Sequence, residues 1–243
     1  MEEIFRAYLE KHHYEAFDLK AVLFDMDGVL FDSMKWHAKS WHETMTEYDI
    51  DSTFDEFYQY EGMVGLSTID HLIRREKGRP ATEEEKKTIY ARKSELFSQY
   101  NDNSLIPYAL DFVKLVASQG LERVIVTGSG QPSLIDRISE SFEGLFERPK
   151  MVTAFDVKQG KPHPEPYMRG LQKAGDLKPN QAIVVENAPR GIEAAAAAGI
   201  FTIAINTGPL TEQSLYDAGA NIVLPSMKAL YDNWDEYYKM LKG

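Results

Sequence analysis

Two aspartates one residue apart, Asp25 and Asp27, follow the apolar run Ala21-Val22-Leu23-Phe24 and precede Gly28. Side chains two apart on extended backbone point the same way, so both carboxylates can converge on one site while the glycine lets the chain turn off. Such a pair suits a reaction that needs a nucleophile and a separate acid/base, and two adjacent carboxylates call for a cation. A lone Asp-x-Asp is more often an N-capping aspartate beside a turn aspartate; the apolar run and Gly28 weigh against that meaning here.

Three more groups stand after apolar runs. Thr127-Gly128-Ser129-Gly130 follows Leu121–Val126, and a hydroxyl with glycine-flanked amides at a helix start can cradle a phosphate; a capped helix after a strand would look the same. Lys161 sits in Gly160-Lys161-Pro162-His163-Pro164, where two prolines stiffen the loop and can hold an ammonium in place. A solvated surface lysine is the ordinary alternative. Glu186-Asn187 closes Gln181–Val185, and Asn187 ahead of Ala188-Pro189 could equally cap a helix.

The elements that must position these groups read as an α/β chain. Candidate strands 21–24, 121–127, 150–155, 181–186, 200–205 and 221–224 alternate with helical stretches 107–119, 131–142, 164–175 and 190–198. Such alternation implies βαβ units and a Rossmann-like, doubly wound, mostly parallel sheet. In open sheets of this kind ligands bind beyond the carboxyl ends of the strands, where all four groups fall. The apolar spacing of Ile4, Phe5, Tyr8 and Leu9 makes 2–16 an amphipathic helix; His12 and His13 adjoin and diverge, so they are not taken as ligands. Between the first two strands, segments 35–48, 53–60, 67–77 and 82–100 read as short helices. The expected organisation is a core of residues 1–33 and 105–243 interrupted by a helical module at 34–104, with hinges near 31–35 and 101–107.

Composition limits the partners. The 243 residues carry a formal charge of −11, with no basic stripe to offset it, which argues against nucleic acid. No apolar run reaches the ~18 residues a bilayer requires, and residues 1–17 lack a basic region followed by an apolar stretch. A cytoplasmic protein with no membrane partner, and a monomer, is expected. The absence of cysteine excludes disulfides, thiolate metal sites and a cysteine nucleophile.

The four groups, in this order, resemble the motifs of the haloacid dehalogenase-like (HAD) superfamily of phosphotransferases. The resemblance covers the whole core. It implies that Asp25 attacks phosphorus to give an aspartyl-phosphate, that Asp27 protonates the leaving oxygen and then activates water, and that Thr127, Gly128 and Ser129 hold the phosphoryl group. It further implies that Lys161 offsets the charge, and that Asp25, Asp27, Glu186 and Asn187 surround Mg2+. The family normally has an acidic residue where Asn187 stands; the amide keeps an oxygen for a metal and loses a charge.

The helical insertion after the first motif resembles the β-phosphoglucomutase-like branch with its α-helical cap domain. Ser33 and His37 fall where that branch joins core to cap, Gly65-Leu66-Ser67-Thr68 on its cap loop, and Lys93 on a cap lysine that meets substrate. Ser67 is therefore expected at the substrate too. The mutases look to an arginine after that serine and to a lysine where Val64 stands; this chain has Thr68 and Val64, and adds Glu61. A carboxylate facing a phosphate pocket is unfavourable unless it meets the metal or its water, although a solvated surface glutamate is the plain alternative. Glu61 is thus expected at the magnesium shell when the cap closes, tightening a pocket for a compact substrate. Inorganic pyrophosphate is the leading substrate, ahead of β-phosphoglucomutase or sugar-phosphate phosphatase activity. Haloacid dehalogenation ranks third, since it would not need the acid/base and metal set. A non-catalytic phosphometabolite-binding module is the alternative of another class, against which the retention of Asp27 argues.

Overall fold

The computed structural model describes residues 1–129 and 132–243, with the backbone alone for 132–136. Gly130, the last residue of the candidate phosphate cradle, lies outside the described residues. Helix α1 (Glu2–His12) precedes β1 (Ala21–Phe24). Four helices follow: α2 (Met34–Glu47), α3 (Glu56–Gln59), α4 (Gly65–Lys77) and α5 (Glu83–Tyr100). The alternating part then runs α6 (Ala109–Ser118), β2 (Glu122–Val126), α7 (Pro132–Ser141), β3 (Met151–Val152), α8 (Glu165–Lys173) and β4 (Ala182–Glu186). It ends with α9 (Pro189–Ala197), β5 (Phe201–Ile205), α10 (Glu212–Asp217), β6 (Ile222–Leu224) and α11 (Met227–Leu241).

The six strands form one sheet in the order β3-β2-β1-β4-β5-β6, and every pairing is parallel. This is the expected doubly wound fold. Strand β1 is central because its residues are apolar on both faces: Val22 and Phe24 join the core beneath α1, α6 and α11, while Ala21 and Leu23 join the core beneath α8 and α9. Chain direction across the sheet reverses at β1, with β2 on one side and β4 on the other, so a crevice opens beyond Phe24.

Helices α2 to α5 bury a separate apolar cluster that includes Trp41, Met45, Phe57, Ile69, Leu72 and Ile89. The two chain crossings are tied to each other: Phe31 bridges Leu105, and the Asp32 amide donates to the Ser104 carbonyl at 2.9 Å.

Three expectations change. The helix expected over 2–16 stops at His12, where His13 turns into the left-handed region. The strand expected over 150–155 shrinks to Met151–Val152, because Thr153 turns to Asp156 through its amide and hydroxyl, each at 2.8 Å. Helix α11 was not anticipated, although Leu230, Trp234, Tyr237 and Leu241 recur at helical spacing and are buried, and the Ser226 hydroxyl accepts from the Ala229 amide. Among the described residues, no helix is long and apolar enough to cross a membrane.

Candidate active site

Asp25 leaves β1 still in register with β4, its amide donating to the Val185 carbonyl at 3.0 Å. The turn after it closes on itself through the Gly28 amide and the Phe31 carbonyl at 2.8 Å, with Gly28 at φ +80°. A side chain at Gly28 would also collide with Asn187, whose Nδ2 lies 2.1 Å from the position of an added Cβ. Only glycine allows both the turn and the close approach of the β4 end.

Asp25 and Glu186 emerge from adjacent strands and share one cation. Lys161 Nζ lies 2.5 Å from Asp25 Oδ1 and 2.6 Å from Glu186 Oε1, with Lys161 only 4% exposed and Glu186 fully buried. The Tyr167 hydroxyl donates to Glu186 Oε1 at 2.9 Å, and the amides of Asn187 and Ala188 donate to Oε2 at 2.8 and 3.0 Å. Two carboxylates therefore face one ammonium in a dry setting. Burial pushes the Asp25 carboxyl up to about 8, against the opposing pull of Lys161. Burial alone would lower the Lys161 ammonium, but Asp25 and Glu186 outweigh it and hold it above its usual value.

Asp27 is held from the other side. Its Oδ1 accepts from the Ser33 hydroxyl and lies 3.2 Å from His37 Nε2. Lys93 Nζ lies 2.5 Å from His37 Nδ1, and the His37 ring stacks on Phe97 at 3.9 Å. An ammonium cannot accept a hydrogen bond, so a charged Lys93 fixes His37 with its proton on Nε2, aimed at Asp27. Burial would raise Asp27, but His37 and Ser33 together bring it below the usual carboxylate range. Burial pulls Lys93 down to about 7, with Asp27 as the opposing influence, and burial together with Lys93 lowers His37.

Above the aspartates lies a cavity of about 80 Å³, lined on the core side by Asp25, Asp27, Thr127, Gly128 and Ser129 and on the helical side by Trp41, Tyr60, Glu61, Thr68 and Lys93 among others. Thr127 ends β2, and its Oγ1 accepts from the Ser129 amide at 3.0 Å. Glu61, 8% exposed, places both carboxylate oxygens on Asn187 Nδ2, at 2.9 and 2.8 Å. Burial and the nearby Asp25 raise Glu61 well above the usual carboxylate range.

Asp25, Asp27, His37, Glu61, Lys93, Thr127, Gly128 and Ser129 all border one cavity, with Lys161 beneath Asp25. Two expected residues are placed otherwise. Ser67 is on the outward side of α4, in a surface groove with Leu66, His71 and Arg74, and its neighbour Thr68 faces the cavity instead. Glu186 has both oxygens bonded to Lys161, Tyr167 and backbone amides, which leaves it holding Lys161 rather than free for a metal. Tyr167 went unrecognised in the sequence, where nothing sets it apart from an ordinary core tyrosine; the aromatic wall of Trp41, Phe57, Tyr60 and Tyr90 was equally invisible.

Among the described residues, no three acidic or imidazole side chains gather as a metal cage. The donor set nonetheless fits magnesium, which is usually held by one or two carboxylates with waters and substrate phosphate completing the shell. Asn187 Oδ1 is buried with no hydrogen-bond partner, an orphaned carbonyl oxygen of the type a hard cation accepts.

Residues 19–199 match the hydrolase family described as haloacid dehalogenase-like hydrolase. The chain belongs to that family, and it is an enzyme of the HAD phosphatase and phosphotransferase class; members generally use Mg2+. It is 34% identical over 227 residues to 2-deoxyglucose-6-phosphate phosphatase 1 of Saccharomyces cerevisiae, covering 86% of this chain and 88% of that protein. It is 29% identical over 209 residues to the phosphorylated carbohydrates phosphatase of Thermotoga maritima, covering 83% of this chain and 92% of that one. A solved structure described as "Putative beta-phosphoglucomutase from Bacteroides vulgatus" superposes with a TM-score of 0.96 at 50% identity, covering 100% of this chain and 98% of that chain.

Proposed function

We propose that the protein is a magnesium-dependent phosphohydrolase that works through a phosphorylated Asp25 on a compact substrate, with inorganic pyrophosphate first in line. The observation that carries the substrate class is the cavity. About 80 Å³ over the aspartates is small beside the ~300–1,000 Å³ of typical small-molecule sites, and the buried Glu61 carboxylate closes one side of it. Such a space suits two phosphoryl groups better than a phosphorylated hexose.

Asp25, Asp27 and the Asn187 carbonyl oxygen would hold the metal, which when bound supplies charge neutralisation between the carboxylates and the phosphoryl oxygens. Asp25 Oδ attacks phosphorus as the P–O bond to the leaving group breaks. Lys161 keeps the attacking carboxylate oriented, and Tyr167 and Glu186 keep Lys161 in place. Thr127 and the backbone at Gly128 and Ser129 receive the phosphoryl oxygens. Asp27 starts as a carboxylate; the arriving phosphate, a like charge, raises its affinity for a proton, so that it takes one from solvent as the substrate binds and hands it to the departing oxygen. In the second half Asp27 takes a proton from the water that cleaves the Asp25–phosphoryl bond, giving free Asp25 and inorganic phosphate, and returns that proton to solvent as the phosphate leaves. Helices 34–104 act as the cap that carries Glu61, His37 and Lys93 to this chemistry.

A second reading, hydrolysis or mutation of a sugar phosphate, has the carbohydrate phosphatase relatives, the 50%-identical structure and the aromatic wall of the cavity in its favour. The deciding measurement is phosphate release, with and without Mg2+, from pyrophosphate, β-glucose 1-phosphate, hexose 6-phosphates and p-nitrophenyl phosphate. Pyrophosphate ahead by ~100-fold in kcat/KM, about 2.7 kcal/mol of transition-state stabilisation, is expected, together with loss of that lead in Glu61→Ala. Hexose phosphates ahead, or conversion of β-glucose 1-phosphate to its 6-phosphate isomer, would establish the second reading.

A further inference from the structure

The segment from Glu61 to Val64 lies against core backbone at separate strand ends, and glycines make the fit. A Cβ at Gly160 would stand 2.7 Å from Val64 Cγ2, one at Gly128 would stand 3.0 Å from the Gly62 carbonyl oxygen, and one at Gly62 would stand 3.2 Å from Lys161 Cδ. Val64 therefore occupies the space that any side chain at Gly160 would need, next to Lys161 in the chain. Val64 is absent from the residues lining the cavity, so its contact with Gly160 lies outside it.

Two consequences follow from where Val64 sits. Gly62 passes over the aliphatic stem of Lys161, and covering that stem helps leave Lys161 4% exposed and its pair with Asp25 dry; charges in a water-poor site interact more strongly. Val64 is also the residue before α4, and its carbonyl accepts from the amides of Ser67 and Thr68 at 2.8 and 3.2 Å. The seat of Val64 thereby sets where Thr68 faces the cavity. Valine is stiff at χ1, so an obstruction beneath it has to be relieved by moving the backbone of the loop.

We propose that Val64, seated in the gap left by Gly160, is the positioning residue that sets how deeply the 61–64 loop closes over Lys161 and Asp25, and that this depth restricts the enzyme to compact leaving groups. The inference rests on the phosphohydrolase reading for its substrate consequence, but the seating itself is a matter of geometry. Gly160 lies outside the left-handed backbone region, so alanine adds a methyl there without backbone strain.

The test compares wild type, Gly160→Ala, Val64→Ala and the double variant by steady-state kinetics on pyrophosphate and p-nitrophenyl phosphate, and by hydrogen exchange of the amides of residues 61–64. Gly160→Ala is expected to lower kcat/KM on pyrophosphate about 30-fold, within the ~100-fold that a 1 Å misplacement can cost. It should leave p-nitrophenyl phosphate within about threefold and speed exchange in the loop. Val64→Ala in the Gly160→Ala background should bring both exchange and kcat/KM back to within about threefold of wild type, because it reopens the room the new methyl takes. Unchanged exchange and activity in Gly160→Ala would overturn the proposal. So would a loss that Val64→Ala does not recover, since the effect would then run through Lys161 itself. Exchange requires no substrate, so a wrong choice of pyrophosphate would show in the kinetic arm alone and leave the seating decided.

Discussion

Asp25 and Asp27 are two residues apart in the chain, yet different parts of the molecule hold them. Asp25 belongs to a core half made with Lys161, Glu186 and Tyr167, all buried and bonded to each other from strand ends and the loop before α8. Asp27 belongs to a half made with Ser33, His37 and Lys93, all contributed by the chain that leaves and re-enters the core through the inserted helices. Burial raises Asp25, while in Asp27 hydrogen bonds and a cationic neighbourhood outweigh burial. A fixed scaffold thus holds the group proposed as nucleophile, and the group proposed to move protons is tied to the element proposed to close. On that reading, proton transfer and closure share residues.

The largest effects are expected in the core half. Asp25→Asn is expected to lower kcat by ~10⁴-fold or more, as loss of a nucleophile does, and to abolish a phosphoryl adduct detectable by mass spectrometry after rapid acid quench. Adduct formation in this variant would remove Asp25 from its proposed role.

In the cap half, Asp27→Asn is expected to cost ~10²–10⁴-fold in kcat, the range of general acid/base groups, and His37→Ala less. Removing His37 takes away the strongest influence holding Asp27 down. The acid limb of the kcat/KM profile should accordingly move to higher pH in His37→Ala. An acid limb at the same pH in both proteins would show that His37 does not tune the group that titrates.

Lys93 sharpens the comparison through stability. Burial lowers it to about 7, so between about pH 7 and the ordinary lysine value near 10.4 the folded protein binds fewer protons than the unfolded chain. Stability from this group therefore rises with pH across that window, and below about pH 7 the cost of burying the ammonium is felt in full. Lys93→Met should be the more stable protein at pH 6.5 in urea unfolding, with the gap closing by pH 10. A gap independent of pH would mean that Lys93 binds its proton as readily in the folded protein as in the unfolded chain. The smallest effect is expected from Ser67→Ala, within about twofold on every substrate, as suits an outward-facing surface residue.

Much of this was legible in the chain itself. The strands ending in Phe24, Val126 and Glu186 announced themselves because a parallel strand buried on both faces must be largely apolar, and a polar residue at the end of such a run has few places to go but the sheet's carboxyl edge. The apolar periodicity of α11 was there to be found. Edge strand β3 was overextended because the bond from Thr153 to Asp156 competes with pairing only once the loop is formed. Ser67 and Thr68 are adjacent, and only the rotation of α4 against α2 and α5 selects which one faces the cavity.

The sequence by itself determined the doubly wound sheet, the position of the helical insertion and the set of polar residues at the strand ends, because local patterning and motif spacing are properties of short stretches. The tertiary structure alone decided how those residues pair. Glu61 meets Asn187 across 126 positions, Lys161 meets Asp25 across 136, and Val64 meets Gly160 although neither residue's own stretch points to the other. Contacts between distant segments depend on where each element is packed, and packing is settled by the whole core at once.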